Sequence, residues 1–267
     1  MSYPELHYYN MAEDVIAFST TRHGGASKGS YGELNINPYC GDDPAAITAN
    51  RQALCRALNL EDSHLFLPHQ VHDIECLEVT EDVLHASPEQ RQQLLEGKDA
   101  LMTSLSRLCI GVSTADCIPV LLYDPRHHAK AAIHAGWRGT VSRIVKETFR
   151  KMQRRYGTLP EDTLAVIGPG ISLKNFEVGQ EVYDDFAAHG FDMSRIARRF
   201  PCKNDSGQEK WHINLPLCNQ LQLESVGVPR SHIQQSGICT YDHDTDFFSA
   251  RRLGIHSGRI YTAIIGK

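Results

Sequence analysis

The sequence predicts an α+β fold in which mixed β-sheets are sandwiched between helices. Three observations carry this expectation. Short apolar runs of strand length recur at Leu108 to Ser113, Ile118 to Tyr123, Lys130 to His134 and Leu164 to Ile167. The segment after Gly139 places Val141, Ile144, Val145, Thr148, Phe149 and Met152 at i, i+3, i+4, i+7, i+8 and i+11, the stripe of an amphipathic helix. Some strands follow one another directly, which fits mixed sheets with helices packed outside better than a strict βαβ alternation.

The elements follow in order. Val15 to Thr20 reads as a strand running into the Gly24-Gly25 turn. Asp43 is the expected cap of a helix that starts at Pro44 and buries Ile47, Leu54 and Leu58. Leu65 to Val79 alternates enough for a strand, broken near Pro68. Ser87 to Gly97 reads as a short polar helix, with Ser87 as cap and Gly97 as stop. Thr140 is the expected cap of the amphipathic helix, which Gly157 and Pro160 end. Asn214 should cap a helix with Pro216 near its start and Gly227 just past its end. Arg259 to Ile265 is the last strand.

Composition bounds the function. The chain has 267 residues, 41% hydrophobic and 22% charged, which excludes a disordered chain, a coiled coil and a collagen-like repeat. Composition stays even and no repeat or linker interrupts it, so residues 1–267 are expected to form one domain. No apolar run approaches the length of a membrane span, and the opening MSYPELHYYNMAEDV lacks the basic and apolar regions of a secretory signal. The expectation is a cytoplasmic protein without membrane contact. A net charge of −5 with mixed signs gives no argument for nucleic acid. The 8 cysteines are then expected to be reduced thiols that mostly pack as small hydrophobes.

Three segments place metal-capable residues at strand ends or turns: HQVH (His69 to His72), TADC (Thr114 to Cys117) and HAGWRG (His134 to Gly139). The small residues Ala115, Ala135, Gly136 and Gly139 permit close approach of the backbone. A His, Cys, His set suits zinc, and three protein ligands leave a fourth tetrahedral position open. The three segments are far apart in sequence, so spacing alone leaves two readings standing. One is a zinc site; the other is a core cysteine with two hydrogen-bonded histidines.

Together the motifs resemble the YfiH family, also called the multicopper polyphenol oxidase or laccase-domain family. The resemblance rests on STTRHGG (Ser19 to Gly25), GELNIN (Gly32 to Asn37), GDD (Gly41 to Asp43), QVH (Gln70 to His72), DALMT (Asp99 to Thr103), TADCIPVLL (Thr114 to Leu122), HAGWRG, IGPGIS (Ile167 to Ser172), FEVGQEV (Phe176 to Val182) and CTYDHDTDFFSARR (Cys239 to Arg252). These occur in the family's order along nearly the whole chain. The resemblance implies α/β/β/α layers and assigns His72, Cys117 and His134 as catalytic residues and zinc ligands. His69 falls outside the motif and reads as a supporting or surface residue. Asp73 stands where many relatives carry a small residue. Glu81 to Gly97 reads as a surface insertion.

The family name suggests copper, but no two of the 14 histidines are separated by one residue, so the His-x-His pairs of multicopper enzymes are missing. The resemblance favours purine nucleoside phosphorolysis, with adenosine deamination as a companion activity. The substrates would be adenosine, inosine, guanosine or methylthioadenosine, with phosphate. Arg22 and Arg138 are the candidate phosphate ligands, since a guanidinium matches phosphate bidentately. Arg138 has a competing role, stacking on Trp137. Asp116 is a candidate for orienting a ligand, or for stabilising its own turn. Asn35 and Gln70 are candidates for hydrogen bonds to substrate, or to backbone. The alternatives are a copper-dependent polyphenol oxidase and a metal-free cysteine hydrolase editing peptidoglycan precursors, with Cys117 as nucleophile.

Overall fold

The computed structural model describes residues 3–202 and 205–267. The first third of the chain runs β1 (Leu6–Tyr9), β2 (Val15–Thr20), α1 (Pro44–Leu58), β3 (Leu65–Phe66), β4 (Cys76–Glu78), α2 (Glu81–Leu84) and α3 (Pro88–Leu95). The middle follows with β5 (Ala100–Thr103), β6 (Cys109–Thr114), β7 (Ile118–Asp124), β8 (Ala129–Ala135), α4 (Trp137–Val141), α5 (Ile144–Tyr156) and β9 (Leu164–Ile167). The remainder is β10 (Glu177–Val178), α6 (Gln180–Ala188), α7 (Met193–Ile196), β11 (Ala197–Cys202), β12 (Asp205–Ile213), α8 (Leu215–Ser225), β13 (Ile233–Gln235), α9 (Ala250–Leu253) and β14 (Ile260–Gly266).

Two mixed sheets make the centre. One has the order β1-β2-β14-β6-β3, the other β13-β9-β7-β8-β5-β4. A small sheet, β10-β12-β11, pairs with neither but packs Val178, Ala197 and Ile213 into the same core as the second sheet. Period-two alternation explains the layering. Along β7, Ile118, Val120 and Leu122 face the helices α5 and α8, packing with Ile144, Phe149 and Leu223. Leu121 and Tyr123 point the other way, against Phe66, Ile110, Val112 and Ile264 of the first sheet. The outer face of that sheet carries Phe18, Tyr261 and Ala263 against Leu54 of α1. The result is α/β/β/α, as the sequence predicts.

Most elements fall where expected. Asp43 caps α1 by accepting from the Ala45 amide, and Ser87 and Gln90 close a capping box on α3. Asn214 accepts from the Leu217 amide at the start of α8. Three expectations need correction. Leu65 to Val79 is not one strand broken at Pro68, because β3 and β4 are short and belong to different sheets. The amphipathic helix is not capped by Thr140. Its first turn starts at Trp137 with Gly136 as cap, and Arg143, at φ +65°, breaks it from α5. Thr140 lies buried inside that first turn. Glu81 to Gly97 is more than a surface insertion. Val83 and Leu95 are buried between the sheets, and Leu95 accepts the His69 amide. Its helix ends at Leu95 with Glu96 as C-cap, and Gly97 follows at φ +67°, the left-handed stop that the sequence predicts.

Candidate metal centre

Two chain crossings build the site. The chain leaves the first sheet at β3 and enters the second at β4, and the QVH loop lies on that path. It crosses again from β6 to β7 through the TADC turn. His134 is the next-to-last residue of β8, paired with Pro119 just after that turn. The three segments therefore meet at one end of the sandwich. One ligand-capable atom from each of His72, Cys117 and His134 lies within 4.8 Å of the others.

His134 is buried, Cys117 half-buried and His72 exposed at the rim. Cys117 Sγ stands 3.8 Å from His72 Nε2. The two imidazoles meet edge to face, with centroids 4.8 Å apart. Tetrahedral zinc, with bonds of about 2.0 Å to nitrogen and 2.3 Å to sulfur, spaces its donors by roughly 3.3 to 3.7 Å. The donor set and its spacing fit such an ion. Gly136 preserves the space: a Cβ there would stand 2.9 Å from His72 Cδ2 and 3.2 Å from Cys117 Sγ.

Asp99 organises this group. Its carboxylate is fully buried and accepts from the amides of Val71 (3.1 Å), His72 (3.0 Å) and Asp73 (2.9 Å). It also accepts from His134 Nδ1 at 2.7 Å. The first three bonds hold the QVH loop in place, including His72 at φ +66°. The fourth fixes the His134 tautomer and leaves Nε2 for the centre. Sequence reading missed Asp99 as a site residue. The available signal was its place at the head of the DALMT segment.

Electrostatics follow from the crowding. Burial opposes ionisation of the Cys117 thiol, but the charge of His134 and hydrogen bonds from His134 and His72 outweigh it, bringing the thiol down to about 6. Burial likewise opposes charge on His134, yet the thiolate and Asp99 raise it to about 9. Asp99 is held below the usual carboxylate range by His134 and the loop amides, against the opposing effect of burial. Without a metal the pair is thus poised as thiolate and imidazolium, and a bound cation would take the place of the His134 Nε2 proton.

The three donors open into a cleft of about 320 Å³, within the size range of small-molecule sites. Its walls include Tyr39 stacked on His69, with ring centroids 4.1 Å apart. His69 is paired with Glu96 at 2.8 Å. Gln70 lines the cleft, but both ends of its amide bind the Ser113 backbone, at 2.8 and 2.7 Å. The other sequence candidates lie outside the cleft lining. Arg22 donates to the carbonyls of Gly32 and Asp244 and covers the Phe248 ring. Asn35 is buried and binds Asp42 and the Arg259 amide. Asp116, at φ +88°, accepts from Thr240 Oγ1 and the Arg251 amide, tying the TADC turn to the C-terminal segment. Arg138 is exposed and stacks on Trp137, 4.3 Å from the ring centre.

Comparison with known proteins agrees with this architecture. Residues 16–267 match the family described as multi-copper polyphenol oxidoreductase laccase. A purine nucleoside phosphorylase of Bacteroides thetaiotaomicron is 45% identical over 265 residues, covering 99% of this chain and 95% of that protein. Adenosine deaminase RL5, from an unknown prokaryotic organism, is 38% identical over 263 residues, 98% of each chain. The crystal structure of Bacillus licheniformis hypothetical protein YfiH superposes with a TM-score of 0.86 at 29% identity, covering 95% of this chain and 93% of that one. The first two carry names of enzymes that act on purine nucleosides, and all three match along nearly the whole chain. The chain therefore belongs to the YfiH family of laccase-domain proteins.

Proposed function

We propose that the protein is a zinc-dependent purine nucleoside phosphorylase with adenosine deaminase as a companion activity, and that residues 1–267 act as one unit. The observation that carries this reading is the His72, Cys117 and His134 group lining a cleft of about 320 Å³. The names of the relatives support the substrate class. A cytoplasmic location, where nucleosides and phosphate are both available, fits this role.

His72, Cys117 and His134 would hold the ion, which supplies Lewis acidity and a water of lowered pKa when bound. The chain's own residues do the rest. Asp99 keeps His134 aimed at the centre and the QVH loop closed on it. The stacked Tyr39 and His69 rings give a flat aromatic wall suited to a purine face. Arg22, Asn35 and Asp116 hold the surrounding loops, and Gln70 shapes the wall beside Ser113. In phosphorolysis a phosphate oxygen bonds to C1′ as the C1′–N9 bond breaks. The purine leaves with the bonding pair and takes up a proton.

Zinc is preferred to copper on the donor set. A blue copper site adds an axial methionine. Among the described residues no methionine lines the cleft; Met102 of β5 and Met152 of α5 are buried together in the core between sheet and helices.

The test is direct. Purified protein incubated with adenosine and phosphate should release adenine and ribose 1-phosphate. His72→Ala, Cys117→Ala and His134→Ala should not. Base release without phosphate, or no turnover of any purine nucleoside, overturns the phosphorylase reading.

One observation favours a second reading. Cys117, His134 and Asp99 form a nucleophile, base and orienting carboxylate, the arrangement of a metal-free cysteine hydrolase. Such a site would act on amide bonds, as in peptidoglycan precursors. Metal analysis separates the two: one zinc per chain, lost in Cys117→Ser, supports the metal centre. Activity in metal-free protein, abolished by alkylating Cys117, supports the hydrolase.

A further inference from the structure

Arg259 lines the same cleft as the three donors, and its charge meets no carboxylate. No acidic side chain is among the cleft-lining residues, and among the described residues no carboxylate lies within ion-pair distance of this guanidinium. Instead the group is fastened by neutral acceptors. Nη1 donates to the carbonyls of Ser257 (2.6 Å) and Gly258 (3.0 Å), and Nη2 to that of Ile255 (2.9 Å). Nε has no acceptor among the described residues, and Nη2 keeps a second proton. The positive charge is thus held rigidly by its surroundings and left without a counter-charge.

A second feature lies in the same wall. The hydroxyls of Ser113 and Thr114 are buried with no hydrogen-bond partner among the described residues. Buried hydroxyls in a folded protein ordinarily have a protein or water partner, so these two stand out in the wall. The cations chosen from sequence do not offer the same. Arg22 is spent on two carbonyls, and Arg138 lies outside the cleft lining.

We infer that Arg259 is the oxyanion-binding residue of this cleft and that it holds inorganic phosphate during phosphorolysis. The inference rests on the phosphorylase reading for the identity of the anion. The chemistry supports it on three counts. A guanidinium presents parallel N–H groups that match two oxygens of a phosphate. Its fastening by Ser257, Gly258 and Ile255 lowers the ordering cost of that contact. No carboxylate lines the cleft to repel a dianion, and the charge of the Cys117 thiolate is offset by its partner His134.

Two measurements test it on the intact protein. The first is phosphorolysis of adenosine at varied phosphate concentration. Arg259→Gln should raise KM for phosphate by about 10- to 100-fold, from the worth of a charge-assisted hydrogen bond. KM for adenosine should change by less than about 3-fold, and Arg259→Lys should recover part of the loss. The second is calorimetric titration of inorganic phosphate into the protein without nucleoside. The wild type should bind one phosphate, and Arg259→Gln should bind at least about 10-fold more weakly. An unchanged phosphate KM with equal phosphate binding overturns the assignment. So does an equal rise in both KM values, which marks a merely structural role. If no nucleoside is turned over, the phosphorylase reading fails on its own, and the titration still decides Arg259: weaker binding in the variant supports it, and equal binding or none in the wild type overturns it.

Discussion

Cys117 shows how neighbours, more than residue type, set chemistry at a single position. The thiols of Cys40, Cys55, Cys76, Cys109 and Cys218 are all pushed up by burial. Cys117 is also penalised by burial, but His134 and His72 reverse the outcome. An acid with a lowered pKa is deprotonated above that value, so its nucleophilicity rises as pH climbs through it. In metal-free protein, alkylation of Cys117 by iodoacetamide should rise through about pH 6 and level off above it. The five raised thiols should stay unmodified at neutral pH. Peptide mass spectrometry across a pH series reads this. A Cys117 rate still climbing at pH 9 would mean that the imidazoles do not hold the thiolate. Sequence singled out this cysteine by its motif. It missed Asp99 because an Asp before a strand looks like any turn residue, and its partners His72 and His134 are 27 and 35 positions away.

At the scale of elements, the centre depends on how closely three backbones can approach. Gly136 caps α4 at φ −64°, a conformation open to any residue, so the reason for glycine there is space. Gly136→Ala should therefore leave folding intact while its methyl pushes against His72 and Cys117. Zinc affinity should fall by about 10-fold or more, the range seen when a metal's supporting contacts are lost. Competition with a chromophoric chelator measures the affinity, and circular dichroism checks the fold. Undiminished affinity would mean that the two side chains relax around the methyl. The helix α5 illustrates the limits of pattern. Its stripe is correctly placed, since Ile144, Val145, Thr148, Phe149 and Met152 are all buried. Its start was misplaced because a left-handed residue, Arg143, interrupts the pattern, and side-chain periodicity does not report a backbone break.

Across the whole molecule, the candidate ligands tie two sheet crossings to one strand end. A metal bound there links β3–β4, β6–β7 and β8 at one point and stabilises only the folded arrangement. Removing it should lower stability through linkage, by about 4 kcal/mol when free zinc exceeds its Kd roughly a thousandfold. The wild type should then lose several degrees of Tm after chelation and regain them on adding zinc. Cys117→Ser should melt at the chelated temperature with or without zinc. Scanning calorimetry measures this, and a Tm indifferent to chelator would dissociate the metal from the fold.

The sequence by itself determined the layered α+β architecture, the main strands, the caps at Asp43, Ser87 and Asn214, and the three motifs that supply the donors. Those features are local: alternation, helical periodicity and capping act over a few residues. Only the tertiary structure decided that His72, Cys117 and His134 converge within 4.8 Å, that Asp99 serves two of them, and that Arg259 rather than Arg22 or Arg138 faces the cleft. Those facts depend on where the chain crosses between sheets. The two sheets meet where Leu121 and Tyr123 share a core with Phe66, Ile110 and Ile264, residues from separate strands whose meeting no local pattern encodes.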